Sequence, residues 1–314
     1  MLQDFREQLK TAEIPPRKTL RKLGTVKISV VETTPVVWED RLLRFEWVRT
    51  DEWGKDGRVK RKVGCYQFVD MADESELGEF AEDHAFGCCY AEDGKMYVHG
   101  VRGGGGGNVI DTFVTTDLKN WEQSVALTLP EHIRIYNTSV CKSDGKYVMA
   151  IEIGGNDPIV GKPFTCIFAE SPDLIAWTLL DTMEYSYCRD RYTACPCLRY
   201  YDGYYYIICL ESMPMHRWVP YIARSRDLHD FELGVINPVM WFDNDDKKVV
   251  LRDRGGHGLA RNVCGKAKLH QTHRTALDHQ KRTTCTRQKN SFCPHDLLGK
   301  YLCFCVVNLG KCFL

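Results

Sequence analysis

The stretch that decides the fold spans residues 191–231: it begins RYTACPCLRYYDGYYYIICLE and closes on SRDLHDF. Its Asp202-Gly203 pair predicts a tight turn, because glycine adopts positive φ at no steric cost. The tyrosines and isoleucines after the turn favour a half-buried strand. The stretch therefore predicts strand, turn and strand, with a third strand over 220–224.

Two motifs recur with a period near fifty residues. The first motif is an aspartate at a predicted turn, and it occurs at Asp40, Asp93, Asp144 and Asp202. Successive members are 53, 51 and 58 residues apart. The second is a closing motif, Ser/Thr-x-Asp-Leu-x-x-Trp/Phe, which occurs three times, with Asp117, Asp173 and Asp227 as its aspartates. These aspartates are 56 and 54 residues apart. We expect the aspartate of the closing motif to accept turn amides and its aromatic residue to pack between sheets. Three or four strands per repeat of this length predict a β-propeller.

These Asp-Gly-x-Tyr-Tyr strands and Asp-Leu-x-x-Trp turns resemble the five-bladed propeller glycoside hydrolases, a clan of arabinanases, β-xylosidases and invertase-like enzymes. The resemblance covers residues 33–245. It implies an all-β, five-bladed β-propeller, of which four blades are recognisable. It also implies acid/base carboxylate chemistry on an oligosaccharide or glycoside, with a carbohydrate as partner and no cofactor.

The charge distribution divides the chain. Residues 1–250 hold 30 Lys and Arg against 39 Asp and Glu, whereas residues 251–314 hold 12 against 3. We predict an N-terminal extension at 1–24 with a short helix over 2–13, a propeller at 25–250, and an aberrant basic Cys/His-rich tail at 251–314. The tail lacks both motifs and sustained alternation, which favours a shifted reading frame or retained intron and predicts disorder. A nucleic-acid-binding tail and a Cys/His metal module are the alternatives.

The cysteines and the N-terminus bear on the compartment. Nine of the 15 cysteines precede residue 250, mostly within apolar strand patterns and without framework or zinc-site spacing. This favours reduced thiols, a reducing compartment and no metal. Residues 1–22 show no signal peptide, and no apolar run is long enough to span a membrane. The sequence thus predicts a cytoplasmic protein without nucleic-acid or membrane partners, or one whose start is incomplete, and it leaves the oligomeric state open.

Three carboxylates are the candidate catalytic residues. Asp83 opens blade two before an apolar strand, where partial burial would raise the pKa of its carboxyl. Glu152 and Glu211 follow apolar runs, at which a carboxylate is either held by an arginine or placed for function. For Asp83, a structural role at the start of the strand is the alternative.

Six further residues are candidates for substrate binding. They offer hydrogen-bonding groups, a bidentate guanidinium or a ring that stacks on a sugar, and they are His84, Tyr136, Asn137, Arg191, His216 and Trp218. Each also has a structural interpretation, as a core histidine, an ion-pair partner or a packed aromatic residue.

The chain departs from the family at two positions. Thr33-Thr34-Pro35 and Asn137 stand where the resemblance implies an Asp base in blade one and a Glu acid in blade three. Three hypotheses follow. The first is a glycosidase whose catalytic pair has moved to Asp83 with Glu152 or Glu211. The second is a carbohydrate-binding propeller or decayed enzyme, and the third is a protein-interaction propeller. Two carboxylates facing each other in a pocket with an aromatic platform would favour the first hypothesis. A pocket with one carboxylate would favour the second, and a flat closed mouth the third.

Overall fold

The structure is a computed structural model that describes residues 31–49, 52–53, 59–61, 64–103, 106–154, 164–190, 192–213, 217–235 and 237–239. Every regular element in this part of the chain is a β-strand. None of its elements is a helix of the length and apolarity needed to cross a membrane.

Four antiparallel sheets follow one another along the chain as the predicted blades. Blade one contains β1 (Val31–Trp38), β2 (Arg41–Arg49), β5 (Gly64–Asp70) and β6 (Glu76–Phe80). Between β2 and β5 the chain forms a separate two-stranded ribbon of β3 (Glu52–Trp53) and β4 (Val59–Arg61). Blade two contains β7 (His84–Glu92), β8 (Lys95–Arg102), β9 (Val109–Thr115) and β10 (Glu122–Thr128). Each later strand pairs with its predecessor, as the repeat predicts.

Blades three and four repeat this order. Blade three contains β11 (Arg134–Ser143), β12 (Lys146–Gly154), β13 (Thr165–Ser171) and β14 (Thr178–Leu179), with β15 (Ser186–Tyr187) also paired to β13. Blade four contains β16 (Thr193–Tyr201), β17 (Tyr204–Met213), β18 (Arg217–Ser225) and β19 (Glu232–Leu233). The four recognisable blades of an all-β propeller are confirmed.

The first strand of each blade is the innermost, and these four strands surround a central channel. β1 packs on β7, β7 on β11, and β11 on β16. We call the end at which these strands begin the mouth, and the end at which they turn into the second strand the hairpin end. At the hairpin end Gly94, Gly145 and Gly203 have φ of 71°, 85° and 74°, the positive φ expected of glycine in this turn. Asp40, Asp93 and Asp202 are also left-handed, with φ of 60°, 49° and 49°.

Every innermost strand is irregular at the same level near the mouth. The pairing with the second strand shifts between Val31 and Thr34, and again at the corresponding steps of the other three blades, 85–88, 135–138 and 194–197. Phe86 and Cys195 within these steps have positive φ, at 53° and 50°. The bulges bend each inner strand and aim single side chains towards the mouth.

The closing turns join consecutive blades. In blade three the Asp173 carboxylate accepts the amides of Ile175 at 2.9 Å and Ala176 at 3.0 Å, and the same bonds recur at Asp117 and Asp227. The aromatic residue that follows each turn reaches the preceding blade: Trp121 stacks on Phe80, Trp177 meets His99, and Phe231 packs on Phe168 and Tyr187. Both expectations for this motif are confirmed.

Several expectations lie outside the described residues. They concern the helix at 2–13 and the tail at 251–314. A fifth blade is not among the residues that the structure describes.

Candidate carbohydrate-binding mouth

The channel contains a cavity of about 440 Å³ whose walls come from all four innermost strands. Asn137, Thr138 and Ser139 of β11 line it with polar groups, and β16 contributes Cys195 and Arg199. No described residue among its walls is an aspartate or glutamate. Two carboxylates facing each other across the channel, as glycosidase chemistry requires, are therefore not found in the described lining.

An arc of aromatic rings follows the mouth from blade one to blade four. The ring centroids are 4.7 Å apart for Trp47 and Phe86, 5.5 Å for Phe86 and Tyr136, 4.9 Å for Tyr136 and Phe164, and 5.1 Å for Phe164 and Tyr192. Trp47 and Phe86 are buried, whereas the other three rings are partly exposed. The exposed half of the arc offers apolar ring surface of the kind that a sugar ring covers.

Local backbone geometry sets the position of Tyr136. This residue lies in the bulge of β11, opposite the end of β12. A side chain at Gly154 would meet the Tyr136 Cε2 atom at 2.8 Å, closer than van der Waals contact allows. Glycine at this position therefore lets the ring lie against the backbone of β12.

Glu152 joins blade three to blade four behind the mouth. Its Oε2 atom accepts hydrogen bonds from the Asn137 side-chain amide at 2.6 Å and from the Cys195 backbone amide at 2.8 Å. The residue is 2% exposed. These contacts place Glu152 behind the channel wall, where it holds Asn137 and the bulge of β16 in position.

A buried ionic cluster lies behind the first strand of blade two. The Asp111 carboxylate receives hydrogen bonds from His84 Nε2 at 2.8 Å and Arg102 Nε at 2.6 Å. The other ring nitrogen of His84 lies 2.8 Å from the Glu82 carbonyl oxygen. Burial opposes ionisation, yet the bonds from Arg102 and His84 lower the pKa of the Asp111 carboxyl. His84 is thus buried with both ring nitrogens engaged by the protein, rather than exposed towards the channel.

The remaining predicted carboxylates differ from each other in burial. Asp83 is exposed, with φ at 63°, and its carbonyl accepts the Gly103 amide at 2.8 Å. The expected partial burial of Asp83 is wrong, because the turn that precedes β7 leaves this residue exposed. Glu211 is buried and pairs with Thr193, the first residue of β16, so it lies at the mouth.

Three predicted binding residues cannot be placed in the mouth. Arg191 and His216 lie outside the described residues, and so does the side chain of Trp218, although its backbone belongs to β18. The sequence interpretation also missed Phe164 and Tyr192, which complete the arc. The only available signal was their place just before a strand, where the repeat puts residues at the mouth.

The channel is rich in thiols that sequence interpretation treated as ordinary core residues. Five cysteines line the cavity, and they are Cys88, Cys89, Cys141, Cys195 and Cys197. Burial raises the pKa of Cys88 to about 11 and that of Cys141 to about 12, so both thiols are neutral at physiological pH. No three His, Cys, Asp or Glu side chains of the described ranges converge as a metal site would require.

Comparison with known proteins shows similarity to solved structures alone, since no family model and no curated protein matches the chain. A structure titled glycoside hydrolase is 14% identical, with a TM-score of 0.49 over 81% of this chain and 89% of that one. A glycosyl hydrolase from Bacteroides ovatus is 13% identical, with a TM-score of 0.49 over 71% and 74%. An α-L-arabinofuranosidase from Clostridium thermocellum is 14% identical, with a TM-score of 0.46 over 65% and 71%.

The protein is a β-propeller, as its strand order and closing turns establish. The neighbours' activities belong to those proteins, and at such low identity the likeness concerns architecture alone.

Proposed function

We propose that this chain is a glycoside hydrolase-like propeller that binds a carbohydrate at the mouth of its channel. The observation that carries the proposal is the aromatic arc, whose partly exposed members are Tyr136, Phe164 and Tyr192. Sugar rings present flat apolar C–H faces, which favours contact with aromatic rings. Polar groups beside the arc, including the Asn137 amide, supply partners for hydroxyl groups.

Binding without cleavage agrees best with the carboxylates. Glycosidases place one carboxyl group on each side of the scissile bond, both in contact with substrate. The described lining of the channel contains no carboxylate, and Glu152 is engaged by Asn137 and Cys195. The described lining therefore lacks the facing pair expected of a glycosidase. It also lacks the single carboxylate expected of the carbohydrate-binding alternative, so the aromatic arc is what supports binding.

Hydrolysis remains a second candidate because of Glu211. This buried carboxylate lies at the mouth end of β17, one blade away from Glu152 at the mouth end of β12. The pair proposed from sequence, Asp83 with Glu152 or Glu211, would then act on the same bound glycan.

Calorimetric titration of the full chain with a panel of arabino-, xylo- and fructo-oligosaccharides tests binding. We expect Tyr136→Ala to weaken the affinity for the bound glycan at least tenfold, about 1.4 kcal/mol, because one stacking surface is lost. Tyr201→Ala is the matched control, since Tyr201 is an exposed tyrosine at the hairpin end. Equal loss in both variants, or binding to no member of the panel, would contradict the proposal.

Product analysis of the same mixtures separates binding from cleavage. We expect no hydrolysis by the unmodified chain. Cleavage that disappears in Glu211→Gln or Asp83→Asn, with unchanged thermal unfolding, would replace our proposal with the glycosidase interpretation.

A further inference from the structure

Asn137 offers only one half of its side-chain amide to the channel. Its Nδ2 atom donates to Glu152 Oε2 at 2.6 Å and to the Cys195 Sγ atom at 3.6 Å, so its two N–H groups have two protein acceptors. A carboxylate oxygen accepts hydrogen bonds and does not donate them, which places the nitrogen of the amide, and not the oxygen, on the Glu152 side. The group that remains for a molecule in the channel is the Oδ1 acceptor.

The Oδ1 atom of Asn137 is accessible from the channel. No described residue donates a hydrogen bond to it, and it is not one of the buried polar atoms that lack a partner. Asn137 is only 7% exposed and belongs to the cavity lining, so the surface that it keeps faces the cavity. An acceptor this close to full burial costs free energy unless a donor meets it.

Ser139 adds a donor two residues further along β11. Its Oγ atom accepts the Leu198 backbone amide at 3.0 Å, and no described residue accepts its hydroxyl proton. The Ser139 side chain also belongs to the cavity lining. Asn137 and Ser139 both contact β16, so the acceptor and the donor lie on the same side of β11.

We propose that the channel selects a neutral sugar whose hydroxyl groups meet Asn137 and Ser139, with Asn137 as the specificity-determining residue and Glu152 as the residue that positions its amide. This inference rests on the proposed binding of a carbohydrate at the mouth. Hydroxyl groups both donate and accept, so they satisfy Asn137 Oδ1 and the Ser139 hydroxyl together. A group that only accepts, such as an ether, a carboxylate or a phosphate, leaves Asn137 Oδ1 unpaired and is rejected.

Deoxyfluoro sugars test the direction of the hydrogen bond to Asn137. Fluorine replaces a hydroxyl group at similar size but cannot donate. The probes for calorimetric titration of the full chain are arabinobiose, xylobiose and inulobiose, each beside its singly deoxyfluorinated derivatives. For a disaccharide that binds, we expect one position at which fluorine weakens the affinity of the unmodified chain at least tenfold. In Asn137→Leu, the parent disaccharide and this derivative should bind within twofold of each other.

Asn120→Leu is the matched control, because Asn120 is exposed in the closing turn of blade two. It should discriminate between parent and derivative as the unmodified chain does. Glu152→Leu should lose the discrimination, because the Asn137 amide then has no carboxylate to hold it. Glu152→Gln should restore it, because the glutamine oxygen accepts the same hydrogen bonds.

Hydrogen exchange of the Asn137 side-chain amide tests its orientation without any sugar. In the full chain carrying isotope-labelled asparagine, the Asn137 amide protons should exchange at least tenfold more slowly than those of Asn120, because buried side chains hold them. Equal exchange rates, or equal discrimination in Asn137→Leu and the unmodified chain, would overturn this inference and leave sugar binding intact. Binding of none of the three disaccharides would contradict the proposed function itself and, with it, the ligand named here.

Discussion

A single buried histidine links the second and third blades. His99 is fully buried, its Nε2 donates to the Leu174 carbonyl at 2.9 Å, and its ring meets Trp177 edge-on at 5.2 Å. Burial lowers the pKa of His99 to about 4. The ring is therefore neutral in the folded protein throughout the physiological range.

We expect His99 to make stability depend on pH between about 6.5 and 4. The unfolded chain takes up a proton near pH 6.5, whereas the folded protein does so only near pH 4. The unfolded state thus binds more protons in this window, and the free energy of unfolding falls as pH falls, by roughly 3 kcal/mol in total. Urea unfolding between pH 7 and 4.5 measures this loss.

His99→Phe supplies the comparison for that measurement. Phenylalanine at position 99 binds no proton. Between pH 6.5 and 4, the slope of the unfolding free energy against pH should therefore correspond to about one bound proton fewer than in the unmodified chain. Identical pH slopes for the two proteins would mean that other groups cause the acid sensitivity.

At the level of single residues, sequence predicted part of the mouth. Tyr136 and Asn137 were identified because they open a blade, and the repeat aligns such residues. Phe164 and Tyr192 were missed because their contact with Tyr136 depends on how blades three and four meet. The prediction that Asp83 is partly buried was wrong. Asp83 lies in an exposed turn, whereas the next residue, His84, is the buried start of β7.

At the level of elements, the closing turn is a small hydrogen-bonded unit built three times. In blade four, hydrogen bonds from the amides of Asp230 and His229 lower the pKa of the Asp227 carboxyl. The leucine beside each aspartate has positive φ, between 58° and 67°. A non-glycine residue accepts this backbone conformation because its side chain is buried and the turn amides are satisfied.

We expect Asp173→Ala to lower the free energy of unfolding by about 1–2 kcal/mol, because two turn amides lose their acceptor. Denaturant unfolding measures the change. Asp230→Ala is the matched control, since this exposed side chain accepts no turn amide, and it should stay within about 0.5 kcal/mol. Similar losses in both variants would show that the carboxylate bonds are not what stabilises the turn.

Sequence predicted these elements well because each signal is local. A turn aspartate, a glycine and an alternating strand act within a few residues, so the strand positions followed directly. The bulges of the innermost strands were not predicted, since no glycine or proline marks them consistently: Phe86 and Cys195 have the positive φ values. The bulges bend these strands as they pass along the channel wall.

For the whole molecule, aromatic contacts connect neighbouring blades. Trp121 of blade two lies parallel to Phe80 of blade one, with ring centroids 3.8 Å apart, and also stacks on Phe68. We expect Trp121→Ala to lower the free energy of unfolding by about 3 kcal/mol or more, because a large packed ring is removed.

Trp121→Phe retains an aromatic ring and should lose clearly less. Thermal and denaturant unfolding of both variants measure the difference. A loss below about 1 kcal/mol in Trp121→Ala would show that blades one and two do not depend on this stack.

The direction of these aromatic contacts has a consequence for synthesis on the ribosome. Trp121, Trp177 and Phe231 each reach back to the blade made before their own. When a blade emerges from the exit tunnel, the surface that receives its closing aromatic residue has therefore already been translated. The chain can therefore add one blade at a time in N- to C-terminal order, and each addition covers part of the blade made before it.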